Sequence, residues 1–271
     1  MEQPLAIALD IDGTILDSAG RLSPRTSRAL RRCADRGIVL YLATARPARL
    51  SLRECRSPAE VGLPSPRGAF YNGASALDRE LGFCGDWPLA APLVTQVTDF
   101  LERHAPQAQL AIQAREDYHS YRLGMDEAIL SNWGFPPEER IPWEEARLQE
   151  CSKVVAWSQT DSLAAVHRGL LEHFAGRLNA FLTDSGRWLQ VTSEQASKAT
   201  ALCALLALRG LPLERVMCFG DDLPDTSMFR EFGFSVAMGQ SAPAVKEMAC
   251  YVTATNDADG VAVALEQLVL A

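Results

Sequence analysis

The chain has 271 residues, of which 48% are hydrophobic and 22% are charged, and its formal net charge is −8 at pH 7. This length and apolar content are enough for a substantial folded core and exclude a disordered protein. The negative charge disfavours a nucleic-acid or anionic-membrane partner, and no apolar run approaches the length of a membrane span. The seven cysteines are scattered and form no CxxC pair, which favours reduced thiols and a cytoplasmic location. Cys33, Cys203 and Cys218 have apolar neighbours and are predicted to be buried.

Strands and helices alternate in the N-terminal and C-terminal parts of the chain. Leu5–Leu9 is an apolar strand, and Ser23 followed by Pro24 is typical of a helix N-cap and first helical residue, with Gly37 ending that helix. This alternation predicts a mostly parallel sheet. Further strands are predicted at Ile38–Ala43, Gly68–Tyr71, Arg215–Phe219, Phe234–Ala237 and Cys250–Thr253, and helices at Ser197–Leu208 and Thr226–Phe232.

The middle of the chain has a different, mixed pattern and contains none of the acidic motifs described below. We therefore predict an inserted α+β domain at residues 81–188, within an α/β core formed by residues 1–80 and 189–271. Its predicted elements are helices at Ala91–His104 and Asp161–Phe174, strands at Gln109–Ala114, Tyr118–Leu123 and Lys153–Ser158, and an antiparallel pair at Arg177–Thr183 and Arg187–Thr192.

Two acidic turns follow two of the apolar strands. Asp10 and Asp12 come after the first strand, and Asp221 and Asp225 follow the strand at Arg215–Phe219. Ligands of open α/β sheets bind at the carboxyl ends of the strands, where these four carboxylates would repel one another without a cation or a proton. Hard oxygen ligands, with no paired His or Cys, favour Mg²⁺. The pattern predicts a magnesium site built for a phosphate.

Four segments resemble the motifs of the haloacid-dehalogenase (HAD) superfamily of phosphatases. LDIDGTILDS resembles the first motif, YLATAR the second around Thr44, EQASKATAL the third around Lys198, and GDDLPD the fourth. The long insert between the second and third motifs resembles the Cof-type (class IIB) branch, and the resemblance covers the whole chain. It implies a Rossmann-like parallel-sheet core with an inserted α+β cap domain, and a Mg²⁺-dependent phosphatase.

The acidic residues have implied roles in this resemblance. The residues alone leave open which aspartate attacks; the resemblance makes Asp10 the nucleophile and Asp12 the general acid and base. It also implies that Mg²⁺ is held by Asp10, Asp221 and the backbone carbonyl of Asp12. Asp225 would orient metal-bound water, and Asp222 occupies another metal-binding position of the family. The alternative for Asp222 and Asp225 is an Asx-turn or helix cap.

A second set of residues is expected at the phosphate. Thr44 at a strand end, with the backbone N–H of Ala45, can hold phosphate oxygens, and the point charge of Lys198 suits both the phosphate and the nucleophile. The alternatives are a capping threonine, a solvated Arg46 and a simple Asn-Gly turn at Asn72. The full expected set is Ile11, Thr44, Ala45, Arg46, Asn72 and Lys198.

Three positions depart from the Cof-type pattern. Pro224 stands where that branch usually has Asn, Gln240 lies in its usual GNA segment, and Ala199 replaces the Gly after the lysine. None of these changes removes a catalytic carboxylate. Pro224 does remove a side-chain amide that is expected to contact phosphate.

The predicted function is hydrolysis of small phosphorylated metabolites, such as sugar phosphates, through an aspartyl-phosphate. A phosphoryl-transferring mutase of the same fold and a catalytically weak phosphometabolite-binding regulator are the alternatives; a receiver-like phospho-switch leaves the insert unexplained. The cap is expected to select the substrate. Its cluster of Tyr118, His119, Tyr121 and Arg122 faces either the cleft or solvent on a half-exposed sheet. The oligomeric state is not indicated.

Overall fold

The computed structural model has alternating strands and helices over residues 2–48, 67–114, 118–122 and 139–271, which are the residues described below. No helix within these residues combines the length and apolarity that a membrane span requires. The strands are β1 (Ala6–Leu9), β2 (Val39–Ala43), β3 (Arg67–Phe70), β4 (Ser75–Asp78), β5 (Phe83–Asp86), β6 (Gln109–Ala114), β7 (Tyr118–Arg122), β8 (Lys153–Trp157), β9 (Leu178–Thr183), β10 (Trp188–Ser193), β11 (Val216–Gly220), β12 (Phe234–Ala237) and β13 (Tyr251–Val252). The helices are α1 (Pro24–Asp35), α2 (Ala91–His104), α3 (Trp143–Ala146), α4 (Ala164–His173), α5 (Lys198–Leu208), α6 (Thr226–Glu231), α7 (Pro243–Lys246) and α8 (Gly260–Leu268).

The chain divides into two compact units. The core unit consists of Met1–Gly85 and Ser197–Ala271, and the cap unit is Asp86–Ala196. Both boundaries lie a few residues beyond the predicted 81 and 188. The reason is that β5 joins the sheet of the core unit, whereas β10 is an inner strand of the sheet of the cap unit.

The core unit is built on an eight-stranded sheet of order β13-β12-β11-β1-β2-β3-β4-β5. The strands from β13 to β3 pair in parallel, and β4 turns back antiparallel to β3. The sheet is thus mostly parallel, as predicted, but the sequence analysis missed β4 and β5. These strands are short and show no apolar alternation that would distinguish them from a loop.

Helices α1 and α8 pack on a continuous apolar cluster that includes β1, β2 and β11. Helix α1 begins as predicted: the Ser23 hydroxyl accepts a hydrogen bond from the Thr26 N–H at 3.0 Å, and Pro24 needs no N–H partner. Leu30 on its inner face is fully buried, which contributes about 1.5–3 kcal/mol. Helix α5 packs instead against β3 and β4.

The cap unit contains a five-stranded antiparallel sheet of order β7-β6-β8-β10-β9. One face of this sheet is apolar and packs on residues of α2 and α4. The predicted helix at Asp161–Phe174 begins only at Ala164. The Ser158 hydroxyl accepts from the Asp161 N–H at 3.0 Å and the Ser162 hydroxyl accepts from the Ala164 N–H at 3.3 Å, and these bonds hold the preceding residues in a non-helical connection. Leu123, the last residue of a predicted strand, lies outside the described residues.

The cysteines in the described residues are all unbridged. Cys33 and Cys218 are buried, as predicted, and burial raises the pKa of Cys33 to about 11. Cys203, which was also predicted to be buried, is only half-buried on α5.

Candidate active site

Three polar residues follow three neighbouring parallel strands of the core sheet. β1 lies between β11 and β2, and Leu9 pairs with both Phe219 and Leu42. Because the three strands end in register, Asp10, Asp221 and Thr44 emerge at the same edge. The strand-end placement that the sequence predicted is therefore the one observed.

Lys198 is the first residue of α5, and its position is fixed by the N-terminus of that helix. The Ser197 hydroxyl caps the helix by accepting from the Thr200 N–H at 3.0 Å. Gly73, which follows β3 and has a φ of +90°, lets the chain there approach the start of α5 closely. A Cβ at this position would lie 1.9 Å from the carbonyl oxygen of Ser197. The helix start is thereby held against the strand end.

The Lys198 ammonium bridges two carboxylates from different strand ends. Its Nζ donates to Asp10 Oδ1 at 2.7 Å and to Asp225 Oδ1 at 2.6 Å. The three side chains are 4%, 8% and 1% exposed, so the interaction takes place out of water. Charge-assisted hydrogen bonds of this kind are short and strong.

The second oxygen of Asp225 is also engaged. Oδ2 accepts from the backbone N–H of Asp221 at 2.9 Å and from that of Asp222 at 3.0 Å. Both oxygens of Asp225 therefore hold protein donors, and its carboxylate organises the loop that presents Asp221. This geometry favours an indirect role over direct metal ligation.

Asp221 is held on its other side by the first acidic loop. The Thr14 hydroxyl donates to Asp221 Oδ1 at 3.3 Å. Gly13 has a φ of +72°, and a Cβ at this position would lie 2.3 Å from Asp221 Oδ2. Only glycine allows the loop after Asp10 to pass this close to the carboxylate.

Burial and repulsion make the carboxylates of Asp10 and Asp221 costly to ionise. Burial raises the pKa of Asp10 well above its ordinary range, more than the charge of Lys198 lowers it, and Asp225 and Asp221 raise it further. Burial and then the charge of Asp225 raise the pKa of Asp221 to about 7. Burial alone would lower the pKa of Lys198, but the charges of Asp10 and Asp225 together raise it.

These residues fit a divalent cation. Carboxylate oxygens of Asp10, Asp221 and Asp225 all lie within 4.8 Å of one another. Three carboxylates and one ammonium leave two negative charges uncompensated in a largely buried site, and a divalent cation would balance them. The donors are hard oxygens, the ligand type of Mg²⁺ and Ca²⁺. Since Asp225 is engaged by Lys198 and two N–H groups, Asp10 and Asp221 are the carboxylates able to bind the ion.

Asp12 is half-exposed and pairs with Arg46 from the loop after β2. Arg46 Nε donates to Asp12 Oδ2 at 2.6 Å, and Arg46 Nη2 donates to Asp12 Oδ1. The guanidinium thus binds the carboxylate with two parallel hydrogen bonds, the geometry with which arginine also binds phosphate. Arg46 is therefore not simply solvated.

Thr44 and Asn72 connect the second and third strand ends. The Thr44 Oγ1 accepts from the Arg46 N–H at 3.1 Å, which is the capping role considered for it. A hydroxyl that accepts can still donate its own proton, so capping and phosphate binding are compatible. The Asn72 N–H donates to the Thr44 carbonyl at 3.0 Å, and Asn72 has a left-handed φ of +58° that asparagine tolerates.

The remaining predicted residues occupy less direct positions. The Ile11 side chain is fully buried in the apolar cluster, so only its backbone can serve a ligand. Ala45 lies between Thr44 and Arg46 in the same loop. Asp222 is exposed, and its Oδ1 accepts from the Leu223 N–H at 2.8 Å as the cap of the Leu223–Asp225 turn. Asp222 thus has the capping geometry, and it lies outside the metal-competent group.

Two supporting residues were not singled out from the sequence as parts of the site. Thr14 orients Asp221, and its signal was a hydroxyl directly after the DxDG turn. Gln240, noted only as a departure from a family pattern, donates from Nε2 to the Gly13 carbonyl at 2.5 Å and accepts from the Asn256 N–H at 3.1 Å. The Gln240 amide therefore stabilises the loop that follows Asp10.

Comparison with known proteins gives a family for this arrangement. The sequence model of a family described as haloacid dehalogenase-like hydrolase matches residues 7–265. The 5-amino-6-(5-phospho-D-ribitylamino)uracil phosphatase YitU of Bacillus subtilis is 28% identical over 96% of this chain and 96% of its own. The pyridoxal phosphate phosphatase YbhA of Escherichia coli is 27% identical over 94% and 95% of the two chains.

Solved structures share the fold. A HAD subclass IIB sugar phosphatase, BT4131, superposes with a TM-score of 0.83 at 22% identity, covering 97% of this chain and 98% of its own. A haloacid dehalogenase-like hydrolase from Bacteroides thetaiotaomicron gives a TM-score of 0.81 at 25% identity, over 98% and 100% of the two chains. The α/β core with an α+β insert is thus confirmed as the fold class.

Proposed function

The chain belongs to the haloacid dehalogenase-like hydrolase family, and on this basis we propose that it is a Mg²⁺-dependent phosphatase of small phosphorylated metabolites. The observation that carries the proposal is the buried Asp10 carboxylate, fixed at a strand end by the Lys198 ammonium at 2.7 Å. A carboxylate held in this way is suited to nucleophilic attack on phosphorus.

The Asp10 carboxylate would attack with the oxygen that Lys198 does not hold. Lys198 engages Oδ1, so Oδ2 would form the bond to phosphorus while the bond from phosphorus to the leaving oxygen breaks. Asp12 would donate a proton to that leaving oxygen. Asp12 would then take a proton from water as the water attacks the aspartyl-phosphate, which releases phosphate and restores the Asp10 carboxylate.

Asp10, Asp221 and the backbone carbonyl of Asp12 are the groups that we expect to hold Mg²⁺. When bound, the ion would supply positive charge that offsets the phosphoryl oxygens and the repulsion among the carboxylates. Asp225 would position the loop of Asp221 rather than bind the ion, because both of its oxygens already accept hydrogen bonds.

Thr44, the backbone N–H groups of Ile11 and Ala45, and Lys198 would bind the phosphate oxygens. Arg46 would join them by exchanging the Asp12 carboxylate for phosphate, since both anions fit the same guanidinium fork. That exchange would also release Asp12 for proton transfer. Asn72 would support the phosphate loop through its hydrogen bond to Thr44.

The substrate class is supported by the relatives, which are named as phosphatases of a phosphoribitylamino-uracil and of pyridoxal phosphate. Both names describe small phosphorylated metabolites. We propose that the cap unit selects among such compounds, because the acidic motifs belong entirely to the core unit.

A phosphate-release assay on chelator-treated enzyme tests this function. Release from a panel of small phosphomonoesters should depend on added Mg²⁺ and should not require a sugar acceptor. Release that occurs only with an acceptor sugar, together with a phosphorylated acceptor product, would favour the mutase. Metabolite binding without turnover under all conditions would favour the regulator and contradict the proposal.

A further inference from the structure

The loop at residues 11–18 of the core unit carries Asp12 and Thr14 of the candidate site. The chain turns sharply at Gly13, whose φ is +72°, and neither Asp12 nor Gly13 has helical backbone angles. Because the directions open to a side chain depend on its backbone, the orientation of this turn decides where the Asp12 carboxylate points. The groups that hold the turn therefore bear on the position of the proposed proton donor.

Two amide side chains from the C-terminal part of the chain hold backbone carbonyls of this loop. Gln240 Nε2 donates to the Gly13 carbonyl at 2.5 Å, and Asn256 Nδ2 donates to the Leu16 carbonyl at 2.9 Å. The two amide residues also contact each other, because Gln240 Oε1 accepts from the Asn256 N–H at 3.1 Å. Gln240 and Asn256 therefore form one unit, which we call the amide clamp, and it holds the loop at two points.

The amide clamp is anchored to the apolar interior of the core unit. The turn Asn256–Ala258 leads into α8, and the Gly260 N–H at the start of that helix donates to the Thr255 carbonyl at 2.9 Å. The buried Thr253 hydroxyl donates to the Gly260 carbonyl at 2.7 Å. Since α8 packs on the apolar cluster of the core unit, the clamp has a firm support on the side away from the loop.

The clamp differs from the bonds that join this loop to the candidate site itself. The Thr14 hydroxyl donates to the Asp221 carboxylate at 3.3 Å, and Arg46 binds the Asp12 carboxylate. Both of these bonds involve charged groups that would also serve the metal or the phosphate. The clamp joins neutral amides to backbone groups, so its bonds can persist while the charged groups change partners.

We propose that Gln240 and Asn256 are positioning residues, which keep the Asp12 carboxylate directed at the leaving oxygen of the substrate. They would act through the backbone of the loop and not by contact with the substrate. This inference rests on the proposed phosphatase function, because Asp12 has a leaving oxygen to protonate only if a phosphate ester is cleaved. Loss of either amide would let the turn at Gly13 move, and a displaced proton donor slows the step that needs its proton.

Two substrates with different leaving groups test this role. The alkoxide that departs from ribose 5-phosphate requires a proton, whereas the nitrophenolate of p-nitrophenyl phosphate leaves without one. Because kcat/KM covers the steps up to loss of the leaving group, its ratio for ribose 5-phosphate over p-nitrophenyl phosphate measures proton donation. The neutral substitutions Gln240→Met and Asn256→Leu should each lower this ratio by about 3- to 10-fold.

Gln267→Met is the matched control and should leave the ratio unchanged. Gln267 is exposed on α8, and its amide accepts from the Tyr251 hydroxyl at 2.9 Å. If Asn256→Leu does not fold, Gln240→Met gives the same comparison, because the Gln240 side chain is exposed.

Amide hydrogen exchange supplies a readout that does not depend on activity. With and without Mg²⁺, exchange should be about 3- to 10-fold faster at residues 11–18 in both clamp variants and unchanged in β1 and β11, because only the loop loses its support. Peptide mass spectrometry measures both regions in the same sample.

An unchanged substrate ratio in both clamp variants would overturn the positioning role and leave the proposed function intact. Equal acceleration of exchange throughout the core unit would also overturn it, because the amides would then serve general stability. Lack of release from every phosphomonoester by the wild-type enzyme would instead refute the proposed function, and the positioning role with it.

Discussion

The two units of this protein bury their polar groups in different ways. In the core unit, Lys198 lies between the carboxylates of Asp10 and Asp225 and donates a hydrogen bond to each. In the cap unit, Lys153 donates to the neutral amide of Gln190 and lies beside the neutral Gln113. The core site thus suits a charged group such as a phosphate, whereas the sheet of the cap unit places its buried lysine beside neutral amides.

We relate this difference to a division of roles, in which the core unit carries out catalysis and the cap unit selects the substrate. We expect changes at the core site to affect all substrates equally, and changes in the cap unit to affect the ratio between the rates for different substrates.

Asp10→Asn should have the largest effect. We expect the loss of at least about 10³-fold in turnover for every phosphomonoester, because the nucleophile is removed. Folding should survive, since a neutral amide avoids the burial penalty and the repulsion that raise the pKa of Asp10. Phosphate release and thermal melting measure both effects, with the exposed Asp35→Asn as control. Substantial residual turnover of any one substrate would contradict the claim that the core site acts on all substrates equally.

Lys198→Met should remove both activity and stability. Without the ammonium, Asp10 and Asp225 become an uncompensated buried carboxylate pair, a loss of about 3–5 kcal/mol in the free energy of unfolding. Mg²⁺ should restore part of that stability by supplying the missing charge. Chemical denaturation with and without Mg²⁺ measures this, and Lys246→Met, which removes a lysine outside the site, is the control. Unchanged stability would mean that the lysine does not neutralise the pair.

Asp225 and Asp222 form a matched pair in one loop. Asp225→Asn must present an NH₂ group either to Lys198 or to the N–H groups of Asp221 and Asp222, so we expect activity to fall about 10- to 100-fold. Asn is as good an N-cap as Asp, so Asp222→Asn should change stability by no more than about 0.5 kcal/mol. Steady-state kinetics at saturating Mg²⁺ compares the activities of the two variants. A larger loss of activity for Asp222→Asn than for Asp225→Asn would assign the metal to Asp222 instead.

The pH dependence of stability should differ with and without metal. The pKa of Asp221 rises from an ordinary 3.8 to about 7 in the folded protein, so the folded state binds more protons than the unfolded state between these values. Metal-free protein should therefore lose stability as the pH rises from about 4 to about 7. Mg²⁺ should flatten this decline, because it favours the ionised carboxylate, and so should Asp221→Asn. Melting curves in chelator and in Mg²⁺ test this; a metal-free stability that rises over that range would contradict it.

The core site could be located from the sequence because three of its residues follow apolar strands directly. Asp10, Thr44 and Asp221 all lie at strand ends that the hydrophobic pattern predicted, and parallel pairing brings such ends together. The family and fold class inferred from the motifs are confirmed. The roles assigned to the individual residues stay predictions.

Details that depend on side-chain partners could not be predicted. Nothing in the sequence indicates that Asp225 accepts hydrogen bonds at both oxygens, or that Gln240 braces Gly13 across 227 positions of chain. Gln113 and Lys153 share one face of the cap sheet only because of the register between β6 and β8. A shift of one residue would turn Gln113 and Lys153 to the other face, and no local pattern fixes that register.

The central claim is that Asp10 carries the phosphoryl group during turnover. Asp12→Asn should slow the second step, because it removes the group that activates water. With p-nitrophenyl phosphate, whose leaving group needs no proton from Asp12, the first step should continue and the intermediate should accumulate. Acid quench of this variant during turnover with Mg²⁺, followed by peptide mass spectrometry, should find one hydroxylamine-sensitive phosphoryl group on Asp10. A phosphoryl group on another residue, or turnover by wild-type enzyme with none found in either protein, would contradict the account.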